Sequence, residues 1–323
     1  MSQATAATPF DPATVDQLDA TWGDPATWVE HGLHWTHLAP VKARIAKAVS
    51  GDAATSPLQW FFEQVAARQA LPLRRVLVLA CGDGRVERDV VRQGWADSAV
   101  ALDLSSKVLA QARAAAQAQG LPIEYLQADM NRLPLGEAPF LPGSFDAVLG
   151  VSGVHHCSEL ETLYAHVAAL LAPGGWFFLD EYIGPDRFQW PDAQLRHLNS
   201  LLDLLPPRLR TTRDGQLKGN ARRPSPEDVI AVDASEAVRS SELLPLLPRH
   251  FELQAVRPYG GALLHLLLGN IAQNFLDEAE APYLDALMDA EDELVRSGQI
   301  GHNFACVIAR LPSAANGSSS RGR

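Results

Sequence analysis

Five short stretches carry residues whose types and spacing can do chemistry. Cys81-Gly82-Asp83-Gly84 closes an apolar run. Its glycines let the backbone turn tightly and come close to a ligand, and the helix start that follows presents free N–H groups to an anion. Asp103 ends a second apolar run, nineteen positions past Gly84. A carboxylate there can accept both hydroxyls of a ribose, which marks an adenosine-type ligand. Asp129-Met130 ends a third run. The acid can accept from an adenine amino group, and the thioether offers the ring a polarizable surface. His155-His156 follows a fourth run, and an unperturbed imidazole, titrating near pH ~6.5, suits the work of a general base. Asp180-Glu181-Tyr182 ends a fifth. A nicotinamide-binding fingerprint would want a third glycine at position 87, where this chain has Glu87.

The elements that must position these residues follow from hydrophobic patterning. Arg75 to Ala80 is apolar after its first residue rather than alternating, as in a strand buried on both faces of a parallel sheet. Ala99–Asp103, Ile123–Ala128, Phe145–Val151 and Trp176–Leu179 repeat the pattern. Between them lie amphipathic stretches. Val86, Val90 and Val91 share one side of the first, and Ser105 is placed to cap the Ala-rich helix after it. Ser158-Glu159-Leu160-Glu161 reads as a capping box opening a helix with Leu160, Leu163, Val167, Leu170 and Leu171 inward, ended by Pro173-Gly174-Gly175. Strand and helix in strict alternation specify a doubly wound α/β sheet, with right-handed crossovers placing helices on both faces. Ligands of such sheets bind outside the carboxyl ends of the strands, where all five stretches fall.

Composition excludes several classes. The 323 residues are 47% apolar and 20% charged, which fits neither a disordered nor a fibrous chain. Thirty-eight acids against 27 bases give a net charge of −11, unlike a general nucleic-acid binder. The longest uncharged apolar run, Tyr259 to Phe275, falls short of the roughly 18 residues that span a bilayer. Three cysteines (Cys81, Cys157, Cys306), none in a CxxC pair, argue against a disulfide framework or zinc finger. With no secretory pattern at the N-terminus, a cytoplasmic location is expected.

The joint order of these motifs resembles the class I S-adenosylmethionine-dependent methyltransferases. Val76-Leu77-Val78-Leu79-Ala80-Cys81-Gly82-Asp83-Gly84 is similar to their motif I, usually written V-L-D-L-G-C-G-T-G, with Val78 in place of the Asp and Ala80 in place of the first Gly. Asp103 resembles the ribose-binding acid and Asp129-Met130 the adenine-binding pair. Phe145–Val151 with Val154-His155-His156 is similar to motif IV, and Leu170-Leu171-Ala172-Pro173-Gly174-Gly175 to the turn before strand five. The likeness is close over residues 71–183 and loose over 234–310. It implies S-adenosyl-L-methionine as cofactor, held by Ala80, Cys81, Gly82, Gly84, Asp103, Leu104, Asp129, Met130 and Val151. It also implies a Rossmann-like methyltransferase fold of seven strands, with Gly301–Ala309 as an antiparallel final strand.

Methyl transfer from a sulfonium is an in-line displacement, so the protein mainly aligns donor and acceptor and excludes water. A hydroxyl acceptor also needs a base. His155 and His156 are the candidates, with Glu181 and Tyr182 as substrate-orienting groups. The resulting expectation is metal-independent O-methylation of a small-molecule or glycan intermediate. N-methylation of an amine is the alternative among enzymes. Val78 and Ala80 keep open a protein that binds the cofactor without turnover.

Around the domain at 71–312, residues 1–70 read as a helical cap, 184–233 as an inserted lid and 313–323 as a disordered tail. The insertion carries Arg208, Arg210, Arg213, Lys218, Arg222 and Arg223, a basic island that could grip an acidic or phosphorylated substrate. Arg187-Phe188-Gln189-Trp190 opens it with aromatic faces for an acceptor pocket. His31, His34 and His37, interleaved with Trp28 and Trp35, lack a nearby Cys or carboxylate and read as an aromatic cap over the cofactor, not a metal site. His265 reads as a satisfied core or edge residue. Leu284, Leu287, Leu294 and Val295 give an amphipathic core helix before the last strand.

Overall fold

A computed structural model describes residues 12–23 and 33–312; Trp28, His31 and the tail at 313–323 lie outside them. Seven strands form one sheet: β1 (Val76–Leu79), β2 (Ala99–Asp103), β3 (Ile123–Gln127), β4 (Phe145–Val151), β5 (Leu171–Tyr182), β6 (Glu252–Gly260) and β7 (Phe304–Arg310). Their order is β3-β2-β1-β4-β5-β7-β6. Strands β1 to β5 run parallel, and β7 inserts antiparallel between β5 and β6. The order reverses at β1 and β4, so the crevice for a ligand lies beyond their carboxyl ends.

The uninterrupted apolar runs reflect burial on both faces. Val76 and Val78 of β1 point into one core, Leu77 and Leu79 into the other. Burying each such side chain contributes roughly 1.5–3 kcal/mol. On the first face lie α2 (Ala39–Ser50), α3 (Pro57–Ala66), α4 (Arg85–Arg92) and α5 (Ser106–Ala118), while α6 (Leu160–Leu170) covers the second. Phe61 of α3 stacks on Phe178 of β5, 4.9 Å between centroids, so residues 39–66 are part of the sheet's own core. The N-terminal helix, α1 (Pro12–Thr21), lies instead over the start of α5. No helix among the described residues is long and apolar enough to cross a membrane.

Ser105 caps α5 as expected, accepting the Val108 N–H. The capping box at Ser158 does not form. Glu159 holds the N-cap place with no side-chain bond. The helix start is served by Asn131, 27 and 28 residues upstream, whose Oδ1 accepts from the Ser158 and Glu159 N–H groups at 2.9 and 3.0 Å. Ser158 Oγ donates to the same oxygen. Asn131→Ala should therefore lower stability by about 1–2 kcal/mol and Ser158→Ala by clearly less, checked by urea unfolding. Equal losses would return the cap to Ser158.

Helix α6 ends at Leu170, and β5 begins directly at Leu171, with a register irregularity opposite β4 across Pro173-Gly174. The helix expected before β7 spans Ala281–Arg296 and buries Leu284, Leu287 and Met288. It also buries Glu291, 0% exposed, which accepts the N–H groups of Gly261, Leu263 and Leu264 and pairs with Arg44 at 2.9 Å. That carboxylate ties the chain after β6 to α2. Nothing in the hydrophobic pattern announces it.

Candidate functional site

Because β1 to β5 are parallel, every stretch singled out in the sequence arrives at one edge. Beyond β1 the backbone is left-handed at Ala80 (φ 46°), Gly82 (φ 53°) and Gly84 (φ 78°). At Gly84 a Cβ would come within 2.6 Å of both Glu87 Oε1 and the Tyr125 hydroxyl, so only glycine fits. Ala80 bears a left-handed φ with its methyl, and Gly153 leaves room for it: a Cβ at 153 would stand 2.6 Å from that methyl. Asp103 Oδ2 accepts the Gly82 N–H at 2.9 Å and Oδ1 the Ser105 N–H at 2.9 Å. Burial nonetheless raises its pKa, and further donors, such as ribose hydroxyls, would relieve that. Leu104 lies beside it, its carbonyl accepting from Gln127. Beyond β3, Asp129 Oδ1 takes the Asn131 N–H at 2.8 Å, and Met130 is buried. Val151 ends β4, half-buried. The glycine cradle, the under-solvated Asp103 and the Asp129-Met130 turn together fit an adenosyl ligand.

The histidines stand beyond β4 in a single 3-10 turn, Val154–His156. Glu181, on β5 and 1% exposed, fixes that turn from behind. Its Oε1 accepts the Gly153 and Val154 N–H groups at 2.8 and 2.7 Å, and its Oε2 lies 2.7 Å from His155 Nδ1. Nδ1 must donate to a carboxylate, so Nε2 of a neutral His155 carries the lone pair. His156 is held the same way through one relay. Its Nδ1 lies 2.9 Å from Ser235 Oγ, which donates to Asp233 Oδ1 at 2.6 Å. Asp233 also accepts from the Trp22 indole of the N-terminal segment. Both Nε2 atoms face Glu236, at 3.6 and 3.9 Å.

Electrostatics separate the two rings. Burial alone would lower the His155 pKa, but the bond to Glu181 and the charges of Glu181, Glu236 and Asp233 outweigh it, and the value is raised. His156 is pulled down by burial and by the adjoining His155 imidazole, so it stays neutral. Burial raises Glu236. At position 87, Glu87 is fully buried with both oxygens unbonded, and burial pushes its pKa up to about 7.

Tyr182 meets the His155 ring edge-on at 6.3 Å and continues into an aromatic stack. Its hydroxyl donates to the Pro185 carbonyl and accepts from the Trp190 indole, and its ring meets Phe188 edge-on at 5.3 Å. Asp180 lies on the same face of β5 as Tyr182, opposite Glu181, accepting from Tyr259 at 2.7 Å. His265 packs among Phe304, Tyr182 and Trp35, but its Nδ1 is buried without a partner, contrary to the satisfied residue expected. His34 lies beside Trp35 and His37, its pKa lowered to about 4 by burial.

Four basic side chains of the insertion are matched internally. Arg208 pairs with Glu280, Arg210 with Asp203 and Arg223 with Asp192, while Lys218 donates to the carbonyls of Leu266, Leu267 and Gly269. The insertion's end matters more. Asp233, Ser235 and Glu236 fold back on the histidines, and Gln17 of α1 and Trp22 just after it clasp the same segment. Sequence reasoning missed these three. Their only signal was an Asp-x-Ser-Glu cluster some 80 residues from His155.

A family model described as a methyltransferase domain matches residues 76–175. The chain is 28% identical over 195 residues to the demethylmenaquinone methyltransferase of Thermus thermophilus, covering 60% of this chain and 81% of that one. It is 30% identical over 151 residues to the ubiquinone biosynthesis O-methyltransferase of Xanthomonas campestris, covering 46% of this chain but 61% of that one. Phosphoethanolamine N-methyltransferase 2 of Haemonchus contortus, solved with S-adenosyl-L-methionine, shares the fold at a TM-score of 0.51 and 14% identity, over 95% of this chain and 61% of that one. Residues 76–175 thus match a methyltransferase domain, and the sheet order with its antiparallel β7 agrees with the class I S-adenosylmethionine-dependent methyltransferase fold.

Proposed function

We propose that the protein transfers the methyl group of S-adenosylmethionine to a hydroxyl of a small-molecule or glycan intermediate, with His155 taking the proton. The observation that carries this reading is the Glu181–His155 pair. A buried carboxylate holds Nδ1 at 2.7 Å, so in the neutral ring the lone pair lies on Nε2, which faces Glu236. Such a base is needed by a hydroxyl and far less by an amine. In this reading Ala80, Cys81, Gly82, Gly84, Asp103, Leu104, Asp129, Met130 and Val151 surround the cofactor, which supplies the electrophilic methyl. The chain's own residues align the acceptor, exclude water and receive the proton. Glu181 is a positioning residue acting through His155. Tyr182, Phe188 and Trp190 wall the acceptor side. Three cysteines outside any disulfide fit a reducing cytoplasm.

Incubation with methyl-labelled cofactor and a panel of hydroxyl and amine acceptors tests this. Label on hydroxyl compounds is the expected result. Label on amines alone would move the protein to N-methylation, and tight cofactor uptake with no transfer to any acceptor would make it a binding protein.

A further inference from the structure

The second-row arrangement of the two histidines exceeds what a single base requires. Only one imidazole can receive the acceptor's proton, yet both are anchored at Nδ1, His155 by Glu181 and His156 by the Ser235–Asp233 relay. Both therefore turn Nε2 toward the same carboxylate, Glu236, His155 at Oε1 and His156 at Oε2. The separations of 3.6 and 3.9 Å are too long for hydrogen bonds. They are close to the spacing of about 3.3–3.5 Å between ligands sharing a tetrahedral ion, given metal–ligand bonds near 2.0–2.2 Å. One donor atom from each of His155, His156 and Glu236 falls within 4.8 Å of the others. Carboxylates behind metal-bound imidazoles are the usual device for fixing ring tautomer and raising ligand strength. A cavity of about 150 Å³, lined in part by His156, Asp233, Ser235 and Asn131, adjoins the cluster and has room for water.

We propose that His155, His156 and Glu236 form a binding site for a divalent transition-metal ion of the zinc class. Two imidazoles and one carboxylate suit that class, and three protein ligands leave a coordination position open. This goes beyond the methyltransferase reading and touches it at one point only: an ion on Nε2 of His155 competes with the proton for the same lone pair.

The test is cobalt(II) titration of the whole protein, followed by its visible absorption, with zinc displacement as the second readout. One cobalt per chain, displaced by one zinc, is expected. His156→Ala and Glu236→Gln should each weaken zinc at least about tenfold, as for the loss of one ligand. Retained S-adenosylmethionine affinity in both variants reports that they are folded. Zinc held equally well by the wild type and the two variants overturns the site, as does hydroxyl methylation by a wild type that takes up no cobalt or zinc. Stoichiometric metal lost in the variants, with no hydroxyl methylated under any condition, upholds the site and sinks the base reading instead.

Discussion

Replacing His155 with Ala is expected to cut methylation of a hydroxyl acceptor by about 10²–10⁴-fold, the usual worth of a positioned general base, with cofactor affinity unchanged. The physical reason is local. His155 touches Glu181 and faces Glu236, and none of its contacts reaches Gly82, Asp103 or Asp129. The Gly153 and Val154 N–H groups still bind Glu181 Oε1, while Oε2, bonded to His155, loses that partner. A thermal melt reads the cost of that buried oxygen separately from the loss of turnover. His156→Ala should cost less, because burial lowers the basicity of its imidazole and its Nδ1 bond supports the Ser235–Asp233 segment. Single-turnover rates with saturating cofactor separate these cases. A His155→Ala protein with full turnover ends the base assignment.

Asp103→Ala is the second large effect. S-adenosylmethionine affinity should fall by about one to two powers of ten, the loss of charge-assisted hydrogen bonds worth roughly 1.5–3 kcal/mol. The same carboxylate accepts from Gly82 and Ser105, so the variant loosens the glycine turn as well as the ribose contact. Asp103→Asn keeps an acceptor for one of those amides and should recover part of the affinity. Titration calorimetry reads both variants, and wild-type affinity in Asp103→Ala would exclude the acid from the adenosyl site.

Much of this architecture was legible because its central strands are buried on two faces. Val76–Leu79 and Ala99–Asp103 carry no polar residue until the ligand edge, so both their existence and the place where chemistry begins could be read directly. Strand β6 was invisible for the opposite reason. It is an edge strand, exposed along Glu252, Leu253 and Gln254 and interrupted by Pro258, a residue that argues against a strand unless it lies at an edge. The Ser158 cap misled because its spacing fits a local motif, while a side chain brought in from β3's far end outcompeted it. At the site, the glycine turn and the acids at the strand ends follow from topology. Asp233, Ser235 and Glu236 do not, since their role depends on how an irregular segment folds back across the sheet.

Asn131 ties two halves of the molecule into one frame. Its backbone belongs to the turn that holds Asp129, and its amide oxygen grips the segment directly after His156. On the proposed reading, donor pocket and acceptor mouth thus share this one tie. Selection for a bulkier acceptor cannot shift that mouth without also disturbing the adenine seat, so specificity in this lineage should diverge through the Asp233–Glu236 segment, which Asn131 does not bind.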